Sequence, residues 1–90
     1  MRAVVRIPTM MTKYSDGRKV LETSGETIGE VLTDLSSSAA DLVGVLYREG
    51  DLSRFMNLYL NGKDVRSIGG LTAVVRDGDE ITIIPALAGG

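Results

Sequence analysis

The sequence predicts a single α+β domain in which one mixed sheet packs on one main helix. Two observations carry this. Stretches of period-two hydrophobicity lie at both ends of the chain, and one stretch of helical periodicity lies between them. A third concerns size: 90 residues with 43% hydrophobic content suit one modest core and argue against disorder. We find no repeat, linker or internal boundary, so residues 1-90 are read as one domain.

The first strand is Arg2-Ala3-Val4-Val5-Arg6-Ile7. Ala3, Val5 and Ile7 share one face, and Arg2, Val4 and Arg6 the other. Pro8 ends it, having no N–H for the ladder. Asp16-Gly17 marks a turn, and Arg18 to Thr23 form a second strand. The period then changes. Ile28, Val31, Leu32 and Leu35 form one helical stripe, and Thr27 with Glu30 makes a T-x-x-E capping box at its start. Ser36-Ser37-Ser38 is a poor helix interior, so the helix ends near there. Between Asp41 and Asp51 two readings stand: Leu42, Val43 and Leu46 belong to a short second helix or to a packed loop.

Phe55 to Asn61 is the clearest strand, with Met56, Leu58 and Leu60 on one side and Phe55, Asn57 and Tyr59 on the other. Asn61-Gly62 is a turn, Lys63 to Arg66 continue as a short strand, and Gly69-Gly70 breaks it. Asp77-Gly78-Asp79 is a further turn. The last strand is Glu80 to Ile84, with Ile81 and Ile83 inward.

Composition excludes several chemistries. The chain has no Cys and no His, so no side chain supplies a thiolate nucleophile, a disulfide or an imidazole base or ligand. The net charge of -2 gives no basic excess for nucleic acid or an acidic membrane. No phosphate-cradling G-x-x-x-x-G-K-[ST] motif occurs. With no signal-peptide pattern and no span-length apolar run, the expected location is cytoplasmic.

The end of the chain is the informative segment. After Ile84 comes Pro85-Ala86-Leu87-Ala88-Gly89-Gly90, uncharged and tapering to glycine. Extended, it reaches about 20 Å. A terminal Gly-Gly pair is weak evidence by composition alone, since the chain holds 11 glycines and Gly69-Gly70 repeats the dipeptide inside. Its position directly after a final strand gives it weight. The bland alternative is a frayed terminus. The chemical alternative is activation: ATP converts the Gly90 carboxylate to an acyl-adenylate, which sulfide or an amine attacks at an unhindered carbonyl.

The strand–helix order and this tail resemble the ubiquitin-like β-grasp sulfur carriers, which include the molybdopterin synthase small subunit and the thiamine thiazole sulfur carrier. Arg54-Phe55-Met56-Asn57-Leu58-Tyr59-Leu60-Asn61, Asp64-Val65-Arg66, Gly69-Gly70-Leu71, Asp77-Gly78-Asp79, Ile7-Pro8-Thr9 and Gly25-Glu26-Thr27 are most similar to the carriers of thiocarboxylate-dependent cysteine biosynthesis. The likeness spans nearly the whole chain. It implies a β-grasp fold with a flexible tail over 84-90. It implies that Gly90 is adenylated by an ATP-dependent activating enzyme and becomes a thiocarboxylate, with Gly89, Ala88 and Leu87 threading the partner's channel. It also implies a docking patch of Ile84, Tyr59, Phe55 and Val4 on the open sheet face. Expected partners are that activating enzyme, a pyridoxal-phosphate-dependent synthase or other sulfur acceptor, and a metal-dependent peptidase. The chain itself is expected to bind no cofactor or metal, to be no enzyme, and to be a monomer when free. Molybdopterin, thiazole or a thio-containing natural product remain open as sulfur destinations. Protein modification and an inert interaction module remain open as other functions. For the docking patch the alternatives are scattered surface apolars or cover by the Thr9 to Asp16 loop.

The remaining polar residues have bland readings beside functional ones. Arg6 and Arg66 are read as solvated in preference to partner contacts. Asp77 and Asp79 are read as turn formers, and Glu26 and Glu30 as complements to the helix dipole. Met10-Met11 is either an adaptable contact or a filled loop.

Overall fold

The computed structural model describes residues 2–86. The sequence-based expectations for Leu87, Ala88, Gly89 and Gly90 therefore lie outside the described residues.

The elements are β1 (Arg2–Arg6), β2 (Val20–Ser24), α1 (Ile28–Ser36), α2 (Ala40–Leu46), β3 (Tyr47–Arg48), β4 (Asp51–Leu52), β5 (Met56–Leu60), β6 (Lys63–Asp64) and β7 (Glu80–Pro85). Five strands form one mixed sheet in the order β2-β1-β7-β5-β6. The first and last strands lie side by side at its centre in parallel, and the other neighbours are antiparallel. This is the β-grasp arrangement.

Period two sets the buried face. Ala3, Val5, Leu21, Leu58, Leu60, Ile81 and Ile83 are all buried, and the stripe Ile28, Val31, Leu32 and Leu35 of α1 closes over them. Burial of those four helix side chains stabilises the fold by roughly 1.5–3 kcal/mol each. The Thr27 hydroxyl accepts from the Glu30 N–H at 3.2 Å. The Glu30 carboxylate accepts from the N–H of Glu26, one residue before the cap, so the capping box closes one position early. Gly25 makes the approach possible: its φ is +154°, and a Cβ there would lie 2.8 Å from the Val31 nitrogen.

Three segments differ in detail from the sequence reading, and one reading left open is decided. The second strand begins at Val20, not Arg18. The Thr9 to Asp16 loop is a 3₁₀ helix over Thr9–Tyr14 that packs against α2. It buries Met11 in the core and exposes Met10. Residues 41–51 resolve into the short helix α2 followed by the β3–β4 hairpin, which turns at Glu49-Gly50 with positive φ at both. Beyond Asp64 the short strand gives way to a 3₁₀ helix over Val65–Ile68. Asp64 caps it, its carboxylate accepting from the Arg66 N–H at 2.9 Å, and Val65 is driven wholly into the core.

Candidate functional site

The last strand does not stop at Ile84. Pro85 still pairs with Met56, and the Ala86 N–H donates to the Phe55 carbonyl at 2.8 Å. Proline fits because it lies at the end of the ladder. Ala86 is thus pinned against the start of β5.

Phe55 and Ile84 flank this point. They are 60% and 46% exposed. Ile84 stands opposite Asn57, and one row further in, Tyr59 stands opposite Thr82 and is half-buried. Val4 lies elsewhere. It is opposite Glu80, four residues back along β7 from Ile84, or roughly 13 Å. The row between them carries Arg6 and Thr82, and Arg6 Nε meets Glu80 Oε1 at 2.9 Å. The structure brings Phe55 and Ile84 together at the tail root, sets Tyr59 beside them, and places Val4 in a charged neighbourhood.

The arginines also differ from the sequence reading. The hydrogen bond from Arg6 shifts the Glu80 carboxyl down from its ordinary value, and the same bond shifts the Arg6 guanidinium up. Arg66 stays exposed but is also bonded to the chain. Its Nη2 donates to the carbonyls of Ser53 at 2.5 Å and Met56 at 2.8 Å, and its Nη1 to Asn57 Oδ1 at 3.1 Å.

An open cleft of about 750 Å³ adjoins the tail root, lined by Arg48, Glu49, Leu52, Arg54, Phe55 and Arg66 among others. It holds no set of groups suited to bond chemistry. Asp77 and Asp79 serve their turn: Asp77 accepts from the Arg2 N–H, and Asp79 from the Arg76 N–H and from Asn61 Nδ2. Among the described residues, no cluster of three or more Asp and Glu is arranged to hold a metal, and no helix is long and apolar enough to cross a membrane.

The comparisons with known proteins bear on this geometry. The family model for the ThiS family matches residues 5–90. This chain belongs to the ThiS family, the ubiquitin-like β-grasp sulfur carriers. It is 41% identical over 93 residues to the sulfur carrier protein CysO of Mycobacterium tuberculosis, covering 100% of both chains. In a crystal structure of an Amycolatopsis orientalis BexX/CysO complex, one chain matches it at 44% identity with a TM-score of 0.91, over 98% of this chain and 99% of that one. The small archaeal modifier protein 3 of Haloferax volcanii is 33% identical over 64 residues, 71% of this chain and 70% of that protein.

Proposed function

We propose that this chain carries sulfur as a thiocarboxylate on Gly90 and delivers it to cysteine biosynthesis. An ATP-dependent activating enzyme docks at Phe55, Ile84 and Tyr59 and receives the tail through Leu87, Ala88 and Gly89. The Gly90 carboxylate attacks the α-phosphorus of ATP and releases pyrophosphate. A sulfur nucleophile then attacks the acyl carbon and releases AMP, leaving the thiocarboxylate. The loaded sulfur goes to a substrate on a pyridoxal-phosphate-dependent synthase, and a metal-dependent peptidase frees the product from the tail. ATP, pyridoxal phosphate and metal all belong to partners; this chain is a substrate and not a catalyst, works in the cytoplasm, and is a monomer when free.

The observation that supports this most is the full-length likeness to CysO, in a chain whose own side chains include no thiol and no imidazole. Molybdopterin, thiazole and thio-containing natural products are the other destinations the same chemistry permits. The test is an intact mass after incubation with an activating enzyme, ATP and a sulfur source. The expected result is the gain of one sulfur for one oxygen at Gly90; an unchanged mass overturns the proposal for that enzyme.

The likeness to a small archaeal modifier protein favours one second reading, conjugation of Gly90 to lysines. An amine attacks the same acyl-adenylate. Isopeptide-linked Gly89-Gly90 remnants on other proteins would decide for it. Function that survives deletion of Gly89-Gly90 would reject both and leave an interaction module.

A further inference from the structure

Among the described residues, Arg66 is alone in gathering three acceptors with one guanidinium, and all three are neutral. They come from one stretch, residues 53–57, made of the bend that joins β4 to β5 and the first two residues of β5. The bend is anchored at its near side: the Ser53 N–H donates to the Leu46 carbonyl at 2.8 Å, and Ser53 Oγ accepts from the Phe55 N–H at 3.2 Å. Arg66 fastens the far side by reaching the Met56 carbonyl and Asn57 while also holding Ser53. Phe55 is therefore gripped from both directions, and its carbonyl is aimed at the Ala86 N–H. Asn57 adds a second link, since it stands opposite Ile84 on β7. The planar fork of arginine suits this role, because it satisfies divergent acceptors that a single ammonium cannot span. Arg66 is itself held by the Asp64 cap and the buried Val65.

We infer that Arg66 is a positioning residue for loading: it fixes the 53–57 bend, and through the Phe55–Ala86 bond it holds Ala86 in place against the start of β5. This rests on the proposal that Gly90 is the loaded group. A fixed Ala86 reduces the ordering that a partner must impose on docking. Losing that hold weakens capture of the carrier while leaving the chemical step unchanged, which appears in KM and not in kcat.

The test uses the full chain with Arg66→Gln and Arg66→Lys, and with Val31→Ala as a control for lost stability far from the bend. Amide hydrogen exchange is followed at Ala86, Leu58 and Ile83, and loading by the activating enzyme is measured against carrier concentration. Arg66→Gln is expected to lower protection at Ala86 by about tenfold beyond any change at Leu58 and Ile83. It is also expected to raise KM several-fold at unchanged kcat, with Arg66→Lys in between and Val31→Ala without effect on KM. Ala86 moving only in step with the core amides, or a KM change no larger than that of Val31→Ala, overturns the inference. If Arg66→Gln does not fold, Asn57→Ala removes one of the three acceptors and should give smaller shifts in the same direction; no shift there overturns it equally. If the unaltered chain takes no sulfur, the proposed function falls, and exchange at Ala86 still decides the clamp.

Discussion

The outer face of the sheet has two ends of different character. At one end Arg2 pairs with Glu22 at 3.2 Å and Arg6 with Glu80 at 2.9 Å, with Val4 half-buried among them. At the other, Phe55 and Ile84 stand exposed beside the last ladder bond, and the Arg66 guanidinium reaches main-chain carbonyls. Both ends share the same buried layer beneath. The difference shows that the open face is no uniform patch: ion pairs mark one end, where Val20 is also exposed, and Phe55 and Ile84 mark the other without a charged pair between them. The two arginines teach the same lesson. Arg6 answers a neighbouring carboxylate across the sheet, whereas Arg66 shapes the backbone.

The largest expected effect lies beneath the tail root. Leu58 is buried on the inner face of β5, and Leu58→Ala should cost about 2–5 kcal/mol in urea unfolding. A cost near zero would mean that this end has no firm support. Next comes Phe55→Ala. Stability should stay within about 0.5 kcal/mol, as for most surface changes, while KM for the activating enzyme rises by tenfold or more, at roughly the scale of an interface hot spot. Val4→Thr should change that KM by less than about twofold. An equal loss from Val4 and Phe55 would erase the distinction between the two ends and restore a single patch.

The smallest effect belongs to the Arg6–Glu80 pair. The folded-state pKa of Glu80 is depressed by its bond from Arg6. Its contribution to stability is therefore present above the ordinary carboxylate range and is lost as pH falls through the folded value. Arg6→Gln should move the NMR titration midpoint of Glu80 back up toward that ordinary range, and molar salt should do part of the same by screening. A midpoint that ignores both changes would show that the polar end is not organised by this pair.

Much of the fold was legible because burial follows local period. Alternation in β1, β5 and β7 named the inward residues, and the i, i+3, i+4, i+7 stripe of α1 named its buried face. The β3–β4 hairpin was not legible: two-residue strands carry no period, and Glu49-Gly50 is a weak turn signal. The 3₁₀ helix after Asp64 was missed because a capped turn and a short strand look alike over four residues. For the candidate site, alternation placed Phe55, Ile84 and Val4 on the outer face, but it could not show that Val4 lies two rows from Ile84.

The sequence by itself determined what the side chains cannot supply: with no Cys and no His, none offers a thiol or an imidazole. It also determined which side of each strand is buried, because side-chain direction alternates residue by residue whatever the neighbours are. Only the tertiary structure decided which outer residues meet. That depends on the order β2-β1-β7-β5-β6 and on the parallel register that sets Val4 against Glu80, and neither is written in any local period. It alone placed the Arg66 guanidinium on three acceptors lying 9 to 13 residues earlier in the chain, since a hydrogen bond across a bend exists only once the core beneath it has formed.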